Sequence, residues 1–173
     1  MAFSPENPRK GPIPMTRTQA DDRRAFDLVA AYIELDIPQL NKIVLEAADA
    51  DHLGHLVFGT FEVIEQVFDQ LPRPEVTSAV ETIAAIATGR MAVDPTSAVS
   101  PELLMLAARL AVAHATNDGA TMAELLDEPV TITLLLDAII GLHLHLLPAL
   151  GSPEVLRALR VAGLRAEIDG IEE

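Results

Sequence analysis

Residues Val130 to Leu150 read VTITLLLDAIIGLHLHLLPAL, the longest strongly apolar run in the chain. A spanning helix needs about 20 mostly apolar residues, so length alone permits membrane insertion. Asp137 near the middle opposes it, because a central carboxylate costs roughly 2.5 to 3.5 kcal/mol on insertion scales. His143, His145 and Pro148 add polarity and a break, and no basic cluster flanks either end. The run therefore reads as a helix inside an all-helical body. Leu134, Leu135, Leu136, Ile139, Ile140, Leu142, Leu146 and Leu147 point all round a 3.6-residue turn, and a helix apolar on every side belongs in a core. A carboxylate among them is expensive if unpaired, so Asp137 is expected to pair with Arg109 or an arginine of the last helix.

The rest of the composition agrees with a helical core. The 173 residues include five Phe, one Tyr and no Trp, so Leu, Val, Ile and Ala must fill the interior. Ala and Leu lose little entropy in a helix. The absence of cysteine excludes disulfides and thiolate chemistry. Prolines in MAFSPENPRKGPIP leave no apolar core for a secretory signal, so a cytoplasmic location is the expectation. Ten arginines against two lysines, with the Ala, Leu and Val load, point by association to a GC-rich bacterial genome.

Net charge is −14 and unevenly spread: residues 1–24 carry +2 and the remainder −16. So acidic a body repels phosphate and anionic lipid, which argues against direct nucleic-acid or membrane binding. Acidity first serves solubility. Carboxylates in phosphate-like rows would make the surface a nucleic-acid mimic, a further alternative.

Four prolines in residues 1–16 predict a mobile tail that buries too little to offset its ordering. Thr18 and Asp21 have capping-box spacing, and Pro38 stops the first helix near Leu35. A short helix follows over residues 37–49. A long one over 51–71 sets His52, His55, Gly59, Glu62, Gln66 and Asp69 on one wet stripe. Helix four ends at Gly89. Residues 90–99 read as a connector. Ser100-Pro101-Glu102 opens the next helix with hydroxyl cap, Pro and acid in the preferred order. Thr121 with Glu124 caps a short helix, and Ser152-Pro153-Glu154 starts the last, which fades near Gly170.

This order, long, short, long apolar, closing, occurs twice. Pro-Glu-Val recurs at 74–76 and 153–155, an offset of 79, and the earlier helices match best at 78, pairing Phe26 with Leu104. The reading is an all-α bundle of seven to eight helices in one domain, residues 17–173, made of pseudo-repeated four-helix halves, 17–89 and 100–170. A short α-solenoid is the alternative. Because helix 130–150 has lost the wet stripe of its counterpart, it must be covered by the other half or by a second chain, and a homodimer is the expectation.

Three chemical candidates stand out. His52 and His55, one turn apart near Asp49, Asp51 and Glu62, could supply two ligands to a divalent metal. His143 and His145 point apart on a helix, and His143 reads as a core histidine with one bonded nitrogen. Arg157, Arg160 and Arg165 make the last helix locally basic, fit either for an acidic partner or for the chain's own acids. Nucleophile motifs and phosphate loops are absent. The function expected is a non-enzymatic protein-binding factor, an adaptor, chaperone-like or regulatory partner. A small-ligand or metal-binding bundle is the alternative.

Overall fold

The computed structural model describes residues 17–92 and 99–169. Among them are eight α-helices, one short 3-10 turn and no strand: α1 Gln19–Ile33, α2 Ile37–Asp49, α3 Leu53–Phe68, α4 Arg73–Ala87, α5 Pro101–Ala115, α6 Gly119–Leu126, α7 Ile132–Leu146, the turn Pro148–Gly151, and α8 Pro153–Asp169. The protein is all-α. The proline-rich segment 1–16 and most of the expected connector lie outside the described residues.

Local chemistry sets the ends. Thr18 and Asp21 form the full capping box on α1. Ser100 accepts from Leu103 N–H on α5, and Ser152 from Val155 N–H on α8. Four helices close with the same paired carbonyl bonds around a left-handed residue, namely Leu35, Asp51, Gly89 and Asn117. One expected cap moves. Asp118, not Thr121, is the α6 cap; its carboxylate accepts from the Thr121 N–H and hydroxyl at 3.1 and 2.6 Å.

The run that decides the fold is two elements rather than one. Pro148 disfavours helical backbone in the residue before it, so α7 stops at Leu146 and Leu147 turns out of the helix (φ −131°, ψ 75°). Leu135, Leu136, Ile139, Ile140 and Leu142 are buried as expected, but Leu134 is 54% exposed. The cover comes from the chain itself, since α7 packs on α3, α4 and α5. No helix among the described residues is long and apolar enough to cross a membrane.

Two helices organise the packing. α1 carries α2, α3 and α8, while α5 carries α4, α6 and α7. The last helix thus lies on the first, a contact that a solenoid touching only sequence neighbours lacks. Both crossings on α1 are close. A Cβ on Gly59 of α3 would stand 3.0 Å from the Ala25 Cβ, and one on Gly163 of α8 would stand 2.9 Å from Asp27. Gly59 and His55 are buried, His52 and Glu62 are half-buried, and of the wet stripe expected on α3 only Gln66 and Asp69 are exposed. The starts of α1 and α5, residues 19 and 101, lie 82 apart, and those of α3 and α7, residues 53 and 132, lie 79 apart, against the expected 78 and 79. Four residues are about one turn, so either register keeps the same apolar face.

Candidate functional site

His52 and His55 come together, with ring centroids 4.9 Å apart. Their surroundings, however, are an internal polar knot. Asp21, only 1% exposed, accepts from Thr18 N–H and hydroxyl, from Arg24 at 3.0 Å, and from His52 Nδ1 at 2.8 Å. Burial pushes the Asp21 carboxyl up, but the Thr18 and His52 hydrogen bonds outweigh it and hold it below the usual range. Burial lowers the His55 imidazole, against the pull of Asp21. Glu62, expected to help a metal, bonds Arg17 instead. Among the described residues no group of three or more His, Asp or Glu is placed to hold one ion. The arrangement ties the start of α1 to the start of α3.

His143 is a core residue whose Nδ1–H donates to the Ile139 carbonyl at 2.7 Å, and burial lowers its pKa. His145 is exposed. Asp137 finds neither Arg109 nor an arginine of α8. Its Oδ1 accepts from the Tyr32 hydroxyl of α1 at 2.5 Å, and burial followed by that bond raises the tyrosine pKa. A neutral hydroxyl replaces the expected cation because α1, not α8, lies against this part of α7.

The pair sits in a cavity of about 290 Å³ between α1, α2 and α7, walled by Leu28, Leu40, Val44, Leu136 and Ile140. Leu35, Ile37 and Leu134 rim its mouth, each more than half exposed.

The arginines of α8 divide. Arg160 pairs with Glu34 and, at 3.9 Å, with Asp27 of α1. Burial raises the Asp27 carboxyl, and Arg160 opposes that shift. Arg157 and Arg165 have no ion pair or hydrogen bond among the described residues and line an open groove of about 640 Å³ beside Phe26 of α1. Val161, Leu164 and Ile168 are 44%, 60% and 59% exposed. At 100° per residue these three and both arginines fall within an arc of roughly 100°, opposite the buried face of Val155 and Leu159. This second apolar face, spaced i, i+3, i+7, was visible in the sequence but not separated from the first. The Tyr32–Asp137 pair was not, since nothing local links residues so far apart in the chain.

Compared with protein-family models, curated proteins and solved structures, the chain matches none.

Proposed function

We propose that the chain is a protein-binding factor whose outer α8 face receives an acidic amphipathic helix of a partner protein. One observation carries this: on a chain of net charge −14, α8 turns an apolar stripe outward beside Arg157 and Arg165, which form no ion pair among the described residues although Asp22, Glu154 and Asp169 line the same groove. Apolar side chains held in water at helical spacing mark interfaces on soluble proteins. A partner helix lays its own apolar face on such a stripe, and carboxylates on its flank meet Arg157 and Arg165. Arg160 stays with α1 and takes no part. The competing occupant is a second copy of this chain, closing a two-fold dimer. Two bodies of this charge repel, which favours the acidic segment of another protein, short enough to reach the basic stripe alone.

The test compares partners captured from native lysate by the unmodified chain and by an Arg157→Glu/Arg165→Glu variant. A partner lost in the variant and released by raised salt supports the reading. Identical capture by both overturns it. A dimer in sedimentation that the same variant splits reassigns the stripe to self-association.

A further inference from the structure

We propose that the cavity between α1, α2 and α7 binds a small amphiphilic amine, its ammonium on the Asp137 carboxylate and its hydrocarbon tail among Leu28, Leu40, Val44 and Ile140. This is independent of the α8 surface.

Charge complementarity selects the ligand. Asp137 Oδ1 accepts from Tyr32, and the carboxylate has no ion pair among the described residues. An anion beside an apolar cavity is stabilised by a cation that brings its own apolar surface. The Tyr32 ring lines the same cavity and adds attraction for an ammonium. An alcohol lacks the charge, and a carboxylate would be repelled.

One further feature marks this cavity out: the corresponding place in the other half is closed. Counted from the helix starts, Tyr32 of α1 corresponds to His114 of α5, and Asp137 of α7 to Phe58 of α3. His114 and Phe58 also touch, ring centroids 4.7 Å apart, and His114 is held by Glu65 at 2.8 Å. One copy of the junction is filled by an aromatic pair; the other keeps a carboxylate and a space.

The chain carries a built-in probe, because Tyr32 is its only tyrosine and there is no tryptophan. Octylammonium, octanol and octanoate are titrated at neutral pH while Tyr32 fluorescence and melting temperature are followed. Octylammonium is expected to change the emission saturably, to raise the melting temperature, and to bind at least tenfold more tightly than octanol, with octanoate weakest. Asp137→Asn keeps an acceptor for Tyr32 and should erase the preference for ammonium over alcohol. Val44→Phe fills the cavity with the carboxylate untouched and should abolish binding of both, so the test stands even where Asp137→Asn folds poorly. Equal response to ammonium and alcohol in the unmodified chain, or no response to ammonium, overturns the proposal.

Discussion

Leu35 shows how much a single residue can carry against its preference. It closes α1 in the left-handed region, φ 56°, and is 76% exposed, so its side chain gains little from packing. A Cβ in that conformation costs roughly 1–2 kcal/mol, part of which glycine returns through its freer unfolded chain. Leu35→Gly should therefore raise stability by about 0.5–1 kcal/mol, seen as a higher urea midpoint at unchanged slope. A lower midpoint would mean that the leucine's contacts at the cavity mouth outweigh its backbone strain. The histidines predict a pH dependence. Burial lowers the pKa of both His143 and His55 from 6.5. The unfolded chain then binds protons that the folded chain refuses, so stability present above 6.5 is lost as pH falls towards the folded values. Asp21, also lowered, keeps its contribution through that window and loses it only as pH falls below the usual carboxylate range. Urea midpoints should drop between about pH 7.5 and about pH 5.5, and His143→Met should shrink the drop. An equal drop in that variant would place the proton uptake elsewhere.

At the scale of the helix, the ends were the most legible part of the sequence, because capping is settled within four residues. Thr18 with Asp21, Ser100 before Pro101, Ser152 before Pro153 and Gly89 all act as their spacing implies. Where two caps compete, spacing alone fails: Asp118 takes the cap and uses the Thr121 hydroxyl as its donor. Faces were less legible than ends. The stripe through His52, His55 and Gly59 looks wet by residue type, yet its first half is where α1 crosses α3, because glycine lets the backbones approach and Asp21 supplies the histidine's partner. The two kinds of cap should differ in energy. Ser100→Ala, at an exposed end, should lose about 1 kcal/mol. Asp21→Ala removes the N3 half of the α1 capping box and strands His52 and Arg24 beside a buried site, so the loss should reach about 3 kcal/mol or more. Thermal unfolding of both variants, analysed at one temperature, checks the ratio. Equal losses would mean that the Asp21 knot contributes no more than a helix cap.

Across the whole molecule, the period of 3.6 and the absence of strand signals made the all-α class legible, but the order in which helices meet was not. Nothing in the residues of α8 alone says that it returns to α1. The contact is made by Leu159, 2% exposed, by the close approach at Gly163, and by Arg160 and Arg23 reaching Asp27, Glu34 and Glu167 across the crossing. The surface ion pairs there contribute little individually. The buried leucine dominates, and truncating it leaves a cavity against α1. Leu159→Ala should cost about 2–5 kcal/mol. Where that loss is felt depends on how the two hub helices are coupled. α1 and α5 are joined through α3, which packs on both, so a weakened α8 loosens α1 first, and through α1 the start of α3. Because those helices share one continuous core with α5 and α7, unfolding should stay a single transition with a lower midpoint. Native-state amide exchange resolves the point. Protection should fall in α8, α1 and α3 by similar amounts, with α5 and α6 following at the global limit. If α8 amides alone lose protection in Leu159→Ala, the last helix opens as an independent unit and does not hold the first half in place.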